Sequence, residues 1–151
     1  MSTPASSLES NSQRDTLIRL AKAYLKARQD DQRYGRTKES EIRRAFANLL
    51  DNAGKSRGWF LKEEHRLTLG GKSIRPDGVL FSEFNLPLGI WEAKDQGDNL
   101  DQEIAVKISK GYPIRNAIFE DGQTAVLYQK GQERLRLTLN SPESVADLVD
   151  I

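Results

Sequence analysis

Arg75-Pro76-Asp77-Gly78-Val79-Leu80 and, a short way on, Gly89-Ile90-Trp91-Glu92-Ala93-Lys94-Asp95 decide the reading of this chain. Side chains alternate between the two faces of a strand, so Glu92 and Lys94 project from one face of 89–95 while Trp91, Ala93 and Asp95 project from the other. One carboxylate and one ammonium therefore share a surface. Asp77 stands fifteen positions before Glu92, far enough for a strand to turn at Pro76-Asp77 and return alongside, which brings both carboxylates within reach of one cation. Two acids that close repel unless a cation lies between them, and an all-oxygen pair prefers a hard metal such as Mg²⁺, with Mn²⁺ as a substitute. The arrangement suits phosphodiester hydrolysis. Asp77 and Glu92 would hold the metal, and Lys94 would orient a water or stabilise charge on the phosphate oxygens. The plainer reading makes Glu92 and Lys94 solvated residues on the polar face of a half-buried strand. The Pro-Asp-Gly break, then an apolar strand, then the acid and lysine, favours the site.

The net charge of +1 looks wrong for a binder of polyanions until it is divided along the chain. Residues 1–62 carry thirteen Lys and Arg against seven Asp and Glu, whereas residues 63–151 carry ten against fifteen, so +6 and −5 make up the total. A basic half beside an acidic half is what a phosphate-gripping surface next to a metal site would look like. Charge scattered over solvated helix faces explains the split equally well.

Helical spacing of Leu17, Ala21, Tyr24, Leu25 and Arg28, with Ser12 as cap, predicts a helix from about Gln13 to Arg33, ending before Gly35. Residues 1–12 read as a flexible tail. A second helix is predicted from Thr37 to about Asn52, with an apolar stripe of Ile42, Ala45, Phe46, Leu49, Leu50 and Ala53 and Gly54 as its terminating glycine. Strands follow at Trp59–Leu69, Ser73–Phe81 and Gly89–Asp95, then a helix from about Asn99 to Lys110. Further strands at Ala117–Phe119, Thr124–Gln129 and Glu133–Leu139 and a short helix from Ser141 complete an α/β plan, a sheet with helices around it. At 151 residues the chain fits one domain, 13–151, with a real core.

Other residues could join the site. Glu39 lies about 50° from the centre of the second helix's apolar stripe and so points inward; it is either a further metal ligand or a first-turn glutamate favoured by the helix dipole. Arg43, one turn on, pairs with Glu39 or contacts phosphate. On the helix after the strand, Asp98, Asp101, Gln102, Glu103, Lys107 and Lys110 read mostly as solvated residues; Gln102 and Lys107 are the candidates for touching the metal-bound water or the DNA backbone. Arg75 is either a phosphate clamp or the salt-bridge partner of a neighbouring acid.

The exclusions are firm. Without cysteine there is no disulfide, thiolate zinc site or thiol nucleophile, which fits a reducing cytoplasm. No apolar run approaches a membrane span and the Ser-rich opening lacks a signal peptide's core. His65 is the single histidine, so it packs or hydrogen-bonds rather than forming a His-pair metal motif. Trp59 and Trp91 read as core or sheet-face aromatics. Gly70-Gly71-Lys72-Ser73 matches only the tail of a phosphate-cradling loop, so no ATP site is expected in this segment, nor one for S-adenosylmethionine.

Pro76-Asp77 and Glu92-Ala93-Lys94 resemble the PD and ExK signatures of the PD-(D/E)XK nuclease superfamily. Ile74-Arg75-Pro76-Asp77-Gly78, Leu86 to Asp95, Gly111-Tyr112-Pro113 and Ile118-Phe119-Glu120-Asp121 resemble, more narrowly, the Mrr-like nuclease domain that opens Type ISP restriction-modification enzymes. The likeness spans roughly Gly35 to Gly131. It implies a restriction-endonuclease-like core, a Mg²⁺-dependent endonuclease acting on duplex DNA, Asp77, Glu92 and Lys94 at its centre, and an acid from the helix before the sheet, where Glu39 and Arg43 resemble the family pattern. It also implies absent partners on a parent polypeptide: a helicase-like translocase, an adenine methyltransferase and a target-recognition region, of which this segment would be an excised part. Two rival readings share the same fold: a non-catalytic DNA-binding or assembly module, and a metal-dependent RNA nuclease.

Overall fold

The computed structural model describes residues 4–36, 38–95 and 99–150, with the side chains of residues 4–10 and of Glu39 outside the described set. Two helices open the chain, α1 (Pro4–Arg33) and α2 (Glu39–Lys55). Strands β1 (Phe60–Glu63), β2 (Leu67–Leu69), β3 (Lys72–Ile74), β4 (Gly78–Phe81) and β5 (Pro87–Ala93) follow. After α3 (Leu100–Ser109) come β6 (Asn116–Glu120), β7 (Thr124–Gln129), β8 (Gln132–Thr138) and α4 (Pro142–Val149). The main sheet has the order β1-β4-β5-β6-β7-β8 and a separate ribbon pairs β2 with β3. Only β5 and β6 run parallel; the other neighbours are antiparallel. A parallel pair needs a crossover, and α3 supplies it.

The core lies on both faces of this sheet. On one, Leu17, Ala21 and Tyr24 of α1, Phe46, Leu49 and Leu50 of α2, and Val145, Leu148 and Val149 of α4 cover Trp91, Ile118 and Leu127. On the other, Leu100 and Ile104 of α3 cover Val79, Ile90, Phe119 and Val126. Along β5 the alternation is the one the sequence predicts: Ile90 belongs to the α3 face and Trp91 to the α2 face, where its ring stacks on Phe46 at 5.5 Å.

The differences from the predicted elements have local causes. The two long strands expected at 59–69 and 73–81 are each broken in two. Glu64 adopts a left-handed φ of 52° after β1, and Pro76, which has no N–H to give a ladder, interrupts the second. Glu64 N–H donates instead to the Asp77 carbonyl at 2.9 Å, tying the two breaks together. The start expected for α2 at Thr37 lies outside the described residues. Gly54 does not end α2; the helix runs on to Lys55 and the left-handed turn falls at Gly58, φ 75°, whose N–H donates to Lys55. Residues 4–12, read as a flexible tail, extend α1 by helix continuous with it, because Pro4 is tolerated in a first turn and no glycine or second proline intervenes. The last helix starts as expected, with Ser141 accepting from Ser144 N–H at 3.2 Å.

Candidate active site

The break between β3 and β4 leaves Asp77 beside the end of β5, and the two strands are then knitted by side-chain to backbone bonds. Asp77 N–H donates to Glu92 Oε1 at 2.9 Å, and Ala93 N–H donates to Asp77 Oδ2 at 2.8 Å. Each carboxylate thus fixes the backbone of the other's strand, which leaves one oxygen of each turned toward the cleft. Those oxygens meet cations. Arg43 Nη1 of α2 lies 3.2 Å from Asp77 Oδ1, and Lys107 Nζ of α3 lies 3.4 Å from Glu92 Oε2.

Lys94 leaves β5 on the same side as Glu92, as alternation requires, and its ammonium sits 3.6 Å from Glu103 of α3. Glu103 and Lys107 are one helical turn apart and 3.8 Å from each other, so α3 presents an acid and a base together to the strand end. Lys107 also lies over the Tyr112 ring at 4.8 Å. A cleft of about 190 Å³ collects these groups: Arg43, Arg75, Asp77, Glu92, Lys94, Glu103 and Lys107 all line it.

Electrostatics follow from burial. Glu92 is only 7% exposed, and its pKa is pushed up to about 7, first by burial and then by the neighbouring Asp77 charge, with Lys107 pulling the other way. Burial alone would lower the Lys107 pKa, but the Glu92 carboxylate and Tyr112 outweigh it and hold it above the ordinary lysine range. Glu92 therefore sits where a positive charge is favoured.

Six of the eight residues singled out in the sequence meet in this cleft: Asp77, Glu92, Lys94, Arg43, Arg75 and Lys107. Arg75 is bound to Glu64, with Nε donating to its carbonyl at 3.0 Å and Nη2 lying 3.5 Å from its carboxylate, so the salt-bridge reading describes its geometry. Gln102 is exposed in the first turn of α3 and is not among the residues lining the cleft; its N–H serves the helix cap, donating to Asn99 Oδ1. Glu39 opens α2, but its side chain lies outside the described residues. Glu103 takes the inward place on α3, one helical turn before Lys107.

Behind the cleft, Glu120 is 3% exposed. Its oxygens accept from Trp91 Nε1 at 3.0 Å and Gly122 N–H at 2.7 Å, and its carbonyl accepts from Lys94 N–H at 2.7 Å. It anchors both neighbours of Glu92 and Ala93 in the strand.

The same arrangement of elements occurs in a solved structure, the complex of DrdV with DNA. The match covers 87% of this chain at 39% identity and a TM-score of 0.83. This chain belongs to the PD-(D/E)XK nuclease superfamily. The PD-(D/E)XK domain spans 13% of the matched DrdV chain, a small part of a much longer polypeptide. A DUF820 protein from Anabaena variabilis matches 69% of this PD-(D/E)XK chain, and 77% of its own, at 14% identity and a TM-score of 0.48. No protein-family model matches the chain, and no curated protein sequence does.

Proposed function

We propose that this chain is a Mg²⁺-dependent endonuclease domain that hydrolyses phosphodiesters of duplex DNA. The observation that carries this reading is the convergence of Asp77, Glu92 and Lys94 in one cleft, in a chain 39% identical to a segment of a protein solved with DNA. The donor set fits a hard cation. Two carboxylates converge, one of them buried with its pKa pushed up, and each has a backbone N–H and one cation, an arginine or a lysine, at 3.2–3.4 Å among the described residues. Among the described residues no three acids or histidines gather, so Asp77 and Glu92 are the pair that would hold Mg²⁺. Mg²⁺ bound there would lower the pKa of a water and offset phosphate charge.

The chain's own groups do the rest. Hydrolysis forms a bond from water oxygen to phosphorus and breaks one ester P–O bond; the water gives up a proton to solvent, and the leaving oxygen takes one up from solvent. Lys94 donates to the attacking water or a non-bridging oxygen, and Glu103 holds that ammonium in place. Arg43 aligns Asp77, and Lys107 neutralises Glu92 until a cation does. One cleft per chain cuts one strand, so a double-strand break requires two copies on opposite strands.

The fuller reading assigns the chain to the Mrr-like nuclease part of a Type ISP restriction-modification enzyme, in which cleavage depends on ATP-driven translocation and target recognition elsewhere on the polypeptide. The chain's 13% share of DrdV supports a modular parent. Supercoiled plasmid is the direct test. Nicking is expected with Mg²⁺ or Mn²⁺, abolished by EDTA and reduced about 10²-fold or more in Lys94→Ala, with matched RNA left intact. Nicking that survives EDTA would overturn the metal site, and nicking unchanged in Lys94→Ala would overturn the assignment of that residue.

A further inference from the structure

A second cavity, about 350 Å³, opens on the α1–α2 side of the end of β5 and shares Arg43, Ala93, Lys94 and Asp95 with the cleft. The two are therefore adjoining compartments around one strand end. The cavity is large enough for a nucleotide-sized group, since small-ligand sites begin at roughly 300 Å³. Its far wall comes from the end of α1, where Arg28 is half-buried, and from the α1–α2 turn, where Arg36 is exposed.

Three of the four acids lining the cavity are engaged, Asp95 being the fourth. Asp31 accepts from Arg36 Nε at 2.9 Å, Glu120 accepts from Trp91 Nε1 and Gly122 N–H, and Asp121 Oδ1 accepts from Gln123 and Thr124 N–H at 2.9 and 2.7 Å. Among the described residues Arg36 gives Asp31 one of its five N–H donors, Nε, and the fork of the guanidinium can present the others to an anion. Close to Arg36 in the chain but not lining the cavity, Tyr34 is 63% exposed, with Arg36 5.3 Å and Arg33 5.7 Å from its ring centre. An exposed aromatic close to guanidinium groups is a surface on which a nucleic-acid base stacks while its phosphates are held alongside.

We propose that this cavity binds the DNA strand next to the scissile phosphate, with Arg28 and Arg36 holding a flanking phosphate and Tyr34, beside Arg36, receiving a base outside it. The site continues the cleft, so the strand runs from Lys94 across Arg43 to the end of α1. The inference rests on the nuclease reading and adds a binding track to it. It also gives the basic amino-terminal half a place to act, on one side of the acidic pair.

Binding of the 151-residue chain to a fluorescent DNA duplex with a frayed end, followed by anisotropy in EDTA, tests the track without cleavage. Arg28→Ala and Tyr34→Ala are each expected to raise Kd about three- to tenfold. Arg28→Ala should also reduce the slope of log K against log salt by about one phosphate contact's worth, roughly 0.7–0.9. Arg36→Lys keeps a cation for Asp31 but removes the fork, so it should weaken binding while leaving the melting curve unchanged. Arg134→Ala, on β8 away from the cavity, should leave Kd within about twofold of wild type. If wild type nicks plasmid and Arg28→Ala, Tyr34→Ala and Arg36→Lys all bind DNA as wild type does, the track is wrong and the nuclease reading stands. If wild type neither binds DNA nor nicks it, both fall together.

Discussion

Glu120 shows how much one buried side chain holds in place. Its two carboxylate oxygens fix Trp91 and the Gly122 turn, and burial, ahead of those hydrogen bonds, pushes its pKa from the ordinary 4.5 up to about 7. A group whose folded pKa is raised keeps a proton that the unfolded chain has released. Its contribution to stability is therefore greatest below the unfolded value and declines as pH rises from about 4.5 to about 7. Glu120→Gln removes that titration but offers an NH₂ where Gly122 N–H needs an acceptor. Urea melts should find the variant less stable than wild type near pH 5, with the gap narrowing by pH 8. A gap that stays constant across that range would show that Glu120 does not titrate there. Gly78, next to Asp77, has an equally local role: a Cβ on it would lie 2.8 Å from Trp91 Cε3 and 2.9 Å from Leu61 Cδ1, so its bare backbone lets β4 lie against the Trp91 ring.

At the scale of elements, α3 is the part of the site that most depends on packing. Leu100 and Ile104 seat it on the sheet, and Glu103 and Lys107 reach the strand end only because it is seated there. Ile104→Ala should cost about 2–5 kcal/mol in a denaturant melt, and at a denaturant concentration where both proteins remain folded it should weaken nicking less than Lys94→Ala does. The alternation of Ile90, Trp91, Glu92 and Lys94 along β5 is legible in the sequence, because a strand's period is fixed by its backbone. So are α3, the turn at Gly35 and the apolar stripe of α2. The breaks in the long strands are not legible from periodicity, since a chain can bend at Glu64 and Pro76 without losing its alternating pattern. Nor is the inward place of Glu103 in preference to Gln102, because neighbouring helix positions differ only in which way the whole helix rolls on the sheet. The parallel pairing of β5 with β6 is likewise a property of the crossover, which no single segment encodes.

For the whole molecule, the site joins parts that are far apart in the chain: Arg43 from α2, Asp77 and Glu92 from one antiparallel pair, and Lys107 from the crossover. A cation that binds the folded chain alone must stabilise all of them at once. Mg²⁺ at a hundred times its dissociation constant should raise unfolding free energy by about 2.7 kcal/mol, read as a rise in melting temperature that Asp77→Asn abolishes. An equal rise in wild type and Asp77→Asn would place the ion elsewhere. No helix among the described residues is long and apolar enough to cross a membrane, and α1, α2 and α4 instead spend their apolar faces on the sheet, with Arg14 and Asp147 closing α1 on α4 at 2.8 Å.

The bond from the Ala93 amide to Asp77 Oδ2 ties a main-chain proton of a central strand to the orientation of a candidate metal ligand. An oxygen engaged by that amide has less electron density to give a cation, and a carboxylate that swings to coordinate must loosen its hold on the amide. The backbone thus carries its own spectroscopic label: the Ala93 amide nitrogen, in a central strand and hydrogen-bonded to Asp77, registers the state of the acid beside it.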